Sequence, residues 1–178
     1  MLAFSLPIPL AYDLTLTLLS ILPAIAAALL GFWALCCKKH PGARRILIGG
    51  LLMGLGIGAM HYTGMAALKM SPPIGYDPPI VALSLAIAVV ASWGALLMMY
   101  QGERIKLPPL LRLMLGAVIM GLAISGMHYT AMFGTHFQPG SLCLADTLRI
   151  EPGTLVVLVS LGSMFLFGGS FFLILFNQ

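Results

Sequence analysis

Charge is what this sequence has least of. Only 8% of its 178 residues are Asp, Glu, Lys or Arg, nine of them basic and five acidic. An ordinary soluble domain is about a quarter charged. So few charges cannot coat a water-soluble globule of this size, which excludes a soluble fold. Carboxylates are scarcer still, and none lies within the long apolar runs. That excludes a hard Mg²⁺ or Ca²⁺ site inside those runs. Three cysteines, Cys36, Cys37 and Cys143, make no disulfide framework, and the adjacent Cys36 and Cys37 cannot readily pair. There is no phosphate-cradling loop, nucleophile motif or carboxylate pair, so the chain is not expected to be an enzyme. The net charge of +4 resides in a few basic residues in short loops. It concerns topology, not nucleic acid.

Hydrophobic residues make up 60% of the chain, and the mean hydropathy is +1.05. Five runs are free of Asp, Glu, Lys and Arg: Leu14–Cys37, Ile46–Leu68, Ile80–Tyr100, Leu113–Phe133 and Thr154–Phe176. Each is long enough to cross ~30 Å of hydrocarbon as a helix. They are continuously apolar and do not alternate, which argues against an outer-membrane barrel. The expected fold is an all-α, polytopic transmembrane helix bundle of five spans. The first loop carries Lys38, Lys39, Arg44 and Arg45, and the third Arg104, Lys106 and Arg112; the second and fourth are poorer in cations. By the positive-inside rule the first and third loops face the cytoplasm. The N-terminus then lies outside and the C-terminus inside, in a bacterial inner membrane. No secretory signal peptide opens the chain. Residues 1–13 read as an external loop, and Trp33 and Trp93 as inner-half anchors.

The chain also repeats itself. A shift of 64 residues superposes Met1 on Met65, Tyr12-Asp13 on Tyr76-Asp77, and Ser20 on Ser84. A shift of 67 superposes Met53-Gly54-Leu55 on Met120-Gly121-Leu122, and Met60-His61-Tyr62-Thr63 on Met127-His128-Tyr129-Thr130. Val157 and Ser160 answer Val81 and Ser84 after a longer loop. Self-similarity at a fixed period signals repeat architecture. One domain, 1–178, is expected, with hairpin copies at about 1–64, 65–131 and 132–178. Met1 falls where a first copy of the Met-His-Tyr-Thr-Gly-Met string would end. The chain is therefore expected to be a fragment, or to start late, lacking an upstream hairpin and a third histidine. The alternative is a true five-span protein whose first loop echoes the repeat.

The two strings lie in the last turns of the second and fourth spans. On a helix, His61 and Met65 are i,i+4 neighbours, as are His128 and Met132. Met60 and Met127 sit about 100° away and flank the histidines. Gly54 and Gly121, seven residues earlier, lie on nearly the same sides, and Gly50, Gly54 and Gly58 form a ladder for close helix approach. The histidine faces should point into the bundle. An ionisable group inside a span is a functional hypothesis by default. Thioethers select Cu(I), and imidazole suits Cu, Fe and Zn. The candidate metal ligands are Met60, His61, Met65, Met127, His128 and Met132. Against them stand an interhelical hydrogen bond for a single histidine and soft packing for methionine; recurrence at one depth favours a site. Tyr62 and Tyr129 either give second-shell hydroxyl bonds or belong to an interfacial aromatic belt. Asp13 and Asp77 are expected N-caps. His40, His136, Cys36, Cys37 and Cys143 are weaker candidates, read as solvated or packing residues.

These two strings, with Met1-Leu2-Ala3-Phe4, Tyr12-Asp13 with Ser20, and Tyr76-Asp77 with Ser84, make the chain closely resemble the bacterial MHYT domain over essentially its whole length. The family pattern has three motifs and about seven spans; here the first motif is absent apart from a remnant at Met1, and Ala131 replaces the usual Gly. The resemblance implies a membrane sensor, not an enzyme, that binds copper through Met60, His61, Met65, Met127, His128 and Met132. It implies sensing of oxygen, carbon monoxide or nitric oxide. It also implies a cytoplasmic output domain outside this chain, such as a diguanylate cyclase or phosphodiesterase, a histidine kinase or a transcription regulator. Two other readings of the same residues stand beside it: a copper-handling or transport protein, and bis-histidine haem ligation by His61 and His128.

Overall fold

The computed structural model describes residues 11–36, 42–104, 106–138, 142–143 and 149–176. The Met1–Phe4 remnant, Cys37, and Lys38, Lys39 and His40 of the first basic loop lie outside the described residues. The helices are α1 (Leu14–Leu19), α2 (Ile21–Cys36), α3 (Ala43–Ala66), α4 (Pro78–Arg104), α5 (Pro109–Phe133) and α6 (Pro152–Phe176). The fold is an all-α bundle. Among the described residues, Leu14–Gly31, Ala43–Ala66, Pro78–Gln101 and Leu110–Phe133 are long and apolar enough to cross a membrane. The fifth expected span is the 25-residue helix α6, whose described apolar stretch is Pro152–Leu166.

The first span differs from expectation. It is broken at Ser20 into α1 and α2. Pro23 supplies the reason: it has no N–H, and its ring clashes with the carbonyl four residues back, at Leu19. The Ser20 hydroxyl donates to the Thr17 carbonyl at the break (2.7 Å).

The α2, α3, α4 and α5 helices pack as sequential neighbours. Glycine sets how closely α3 meets α4. A Cβ on Gly54 would lie 2.5 Å from Val89 Cα, and Cβ atoms on Gly50 and Gly58 would strike Trp93 and Leu85. The expected glycine ladder is thus the α3–α4 seam, with contacts at four-residue spacing on both helices. Lipid tails provide no hydrophobic drive for helix association, so such close van der Waals approach is a main attractive term. The Trp93 indole N–H donates to the Leu47 carbonyl (2.8 Å) and ties the same seam. Gly121, the repeat partner of Gly54, meets no described atom within 4 Å. The two halves share a pattern but not a packing partner.

On sequence alone, the loops at the motif end read as external loops without structure of their own. They form three two-residue antiparallel pairs instead: β1 (Tyr12–Asp13) with β6 (Arg149–Ile150), β2 (Met70–Ser71) with β5 (Leu142–Cys143), and β3 (Gly75–Tyr76) with β4 (Thr135–His136). The repeat is visible in the backbone. Asp13 N–H donates to Ala67 O, and Asp77 N–H to Gly134 O, each at 2.9 Å. Each pins the head of a descending helix to the residue that ends a motif helix. Asp13 caps α1 as expected, accepting from Leu16 N–H at 3.0 Å, and pairs with Lys69. Asp77 meets α4 through its backbone carbonyl, which accepts from Ile80 and Val81.

Candidate metal-binding site

Both motif strings are helical to their ends, so each places a histidine five residues, about one and a half turns, before the close of its helix. The α3 and α5 helices flank α4, and their histidines meet across the gap. His61 Nδ1 and His128 Nδ1 are 3.4 Å apart. The rings are T-shaped, with centroids 5.1 Å apart and planes at 83°. His61 is buried, at 4% exposure. Its Nε2 is buried and has no hydrogen-bond partner among the described residues. A buried polar atom in that condition is costly.

His61, His128, Met60 and Met127 line one cavity of about 650 Å³. Its other walls come from α1 (Leu14, Thr17, Leu18), Ser20 and Ile21, and α6 (Leu155, Leu158, Val159). Four of the six candidate ligands are therefore gathered. Met65 and Met132 are not among the lining residues. Met65 is fully buried with Tyr12, Ala67, Leu68 and Met70 beneath the strand pairs, and Met132 packs on that cluster. The i,i+4 spacing put Met65 on the face of His61. The strand pairs fold over the last turn and enclose its side chain in an apolar cap.

Tyr62 stands edge-on to His61, with centroids 5.0 Å apart. Its hydroxyl bonds to Ser84 Oγ on α4 (2.8 Å); Ser84 is fully buried and also donates to Val81 O. Tyr62 thus braces the residue beside His61 against α4. Tyr129 stands in the same relation to His128 (5.4 Å), but is 64% exposed. Ser84 was not singled out for a role from the sequence. The Ser20/Ser84/Ser160 recurrence was its signal. His136 lies exposed in β4 and does not line the cavity. Among the described residues no group of three or more His, Cys, Asp or Glu side chains converges, so any ion here would rest on two imidazoles and thioethers.

Tandem helical hairpins with paired histidines near one end of apolar spans define a multi-pass membrane domain. The chain matches the MHYT repeat, described as the bacterial signalling protein N-terminal repeat, over residues 1–49, 54–111 and 121–177; it belongs to the MHYT family. It is 50% identical over 159 residues to the Pseudomonas aeruginosa bifunctional diguanylate cyclase/cyclic di-GMP phosphodiesterase MucR, covering 89% of this chain and 23% of that protein. It is 40% identical over 134 residues to the cyclic di-GMP phosphodiesterase NbdA of the same organism, covering 74% of this chain and 17% of NbdA. The signaling protein YkoW of Bacillus subtilis is 31% identical over 130 residues, which is 69% of this chain and 16% of YkoW. The chain thus spans less than a quarter of the length of these relatives. No solved structure matches it.

Proposed function

We propose that this domain binds copper between α3 and α5 and senses a diatomic gas there, with the motif end of the bundle facing the periplasm. The 3.4 Å separation of His61 Nδ1 and His128 Nδ1 carries the reading. Nitrogen ligands sit ~2.0–2.1 Å from a first-row ion, so two of them at a tetrahedral angle are ~3.4 Å apart. Met60 and Met127 supply soft thioethers on the same cavity wall, which favours Cu(I) over Zn²⁺. Bound there, copper would supply an open coordination position for oxygen, carbon monoxide or nitric oxide. The chain's own part is to hold the imidazoles at fixed spacing and to offer an apolar cavity in which a small neutral ligand resides. The edge-on approach of the two rings suits one small ion better than a planar macrocycle, which disfavours haem.

The output would be cytoplasmic and concern cyclic di-GMP, as the names of MucR and NbdA indicate for those proteins. A signal requires that ligand binding favour one of two helix arrangements. The gap that the ion would bridge, between α3 and α5, is where such a difference would arise. Metal analysis of the purified protein tests the reading. The wild type should hold copper and show a carbonyl stretch under CO, and His61→Ala with His128→Ala should lose both. Unchanged copper content in that variant overturns it.

A further inference from the structure

A second cluster of thioethers lies toward the basic-loop end of the bundle. Met53 precedes Met60 by seven residues, and Met120 precedes Met127 by seven. Two helical turns place each ~10.5 Å further along nearly the same face. Met53 of α3, Met120 of α5 and Met99 of α4 line one cavity of about 330 Å³. No carboxylate, imidazole or hydroxyl side chain is among its lining residues. Two glycines in that lining make room for sulfur. A Cβ on Gly31 would lie 2.9 Å from Met53 Sδ, and one on Gly116 would lie 3.4 Å from Met99 Sδ.

We propose that this cavity is a second metal site, taking Cu(I) through the thioethers of Met53, Met99 and Met120 alone. Core methionines ordinarily fill gaps. Here three of them, from three helices, border one open apolar groove. Neutral thioether sulfur is a poor ligand for Mg²⁺, Ca²⁺ or Zn²⁺ and a good one for Cu(I). A single positive charge also costs less to bring into an apolar cavity than a double one. Methionine is unbranched with three rotatable bonds, so each sulfur can turn toward an ion by side-chain rotation. The proposal uses none of the residues of the histidine site and stands apart from it.

Anaerobic Cu(I) titration of the full chain against a competing chelator, with X-ray absorption of the loaded protein, tests this. The His61→Ala/His128→Ala variant should retain one Cu(I) with a sulfur-only shell. Met53→Leu/Met99→Leu/Met120→Leu, which nearly conserves volume, should lose one equivalent relative to wild type. Gly31→Ala, which pushes on Met53 Sδ, should weaken the sulfur-only site about tenfold while leaving nitrogen-bound copper unchanged. A double-histidine variant that binds no Cu(I), or a triple-leucine variant with wild-type stoichiometry, overturns the proposal. Should the triple-leucine protein fail to fold, the double-histidine and Gly31→Ala measurements decide it. If the histidine variant keeps full stoichiometry while the leucine variant loses one equivalent, the outer reading fails and the inner one holds.

Discussion

His61 and His128 lie 67 residues apart in the chain and 3.4 Å apart at their Nδ1 atoms. Nitrogens this close, with His61 buried, can share a proton in a hydrogen bond or, under the proposed reading, a metal ion. If that is copper, removing either ring should lower copper affinity by at least ~100-fold, the upper end of what loss of a second-shell partner costs. Chelator competition on each single alanine variant measures it. Copper should also raise the melting temperature of the wild type, because an ion bound only to the folded state stabilises it, and should leave the double variant unmoved.

The Tyr62–Ser84 bond is a brace between α3 and α4. Tyr62→Phe should cost about 0.5–1 kcal/mol of stability, the range for such bonds in water and in membranes. Combining it with Ser84→Ala in a double-mutant cycle should give a coupling of the same size. A coupling of zero would show that the hydroxyl pair carries no net stability.

The two repeat-related glycines should respond unequally. Gly54→Val places its Cβ against the Val89 backbone and should destabilise by roughly 1–3 kcal/mol or more. Gly121→Val meets open space and should stay within about 0.5 kcal/mol of wild type. Thermal melting in detergent reads both, and equal losses would contradict the observed seam.

Asp13 gives the cap a pH dependence. The hydrogen-bonded Lys69 ammonium, followed by the Leu16 N–H, holds its carboxyl below the ordinary 3.8. A depressed carboxylate stabilises the fold fully above its unfolded value, and the contribution fades as pH falls below 3.8 through the lowered one. Asp13→Asn keeps a capping oxygen and removes the charge. Its melting temperature should sit below wild type at neutral pH, and the gap should close on acidification. A gap independent of pH would assign the loss to geometry and not to charge.

Topology is open to labelling. With native cysteines replaced, Lys69→Cys should react with an impermeant thiol reagent from outside intact cells, and Arg44→Cys only after lysis. The reverse pattern would turn the proposed site toward the cytoplasm.

Much of the architecture was legible because lipid imposes few solutions. Apolar runs of about 20 residues without charge have to be helices, and the 64- and 67-residue shifts show where one hairpin ends and the next begins. The glycine ladder announced a close seam, since nothing else lets backbones touch. The break at Ser20 was also written in the chain, at Pro23. The strand pairs were not, because two-residue strands have no periodicity to detect. Their partners are up to 138 residues apart in the chain, as at Tyr12 and Ile150.

Composition and spacing, then, were enough to establish a helical membrane repeat with an imidazole and two thioethers in each motif, because hydrophobic run length and helical periodicity are local quantities. Which of those groups meet was left to the packed bundle. A helix face says where a side chain points but not which neighbour it finds, and only the seating of α3 and α5 on either side of α4 joins His61 to His128 while the strand cap encloses Met65.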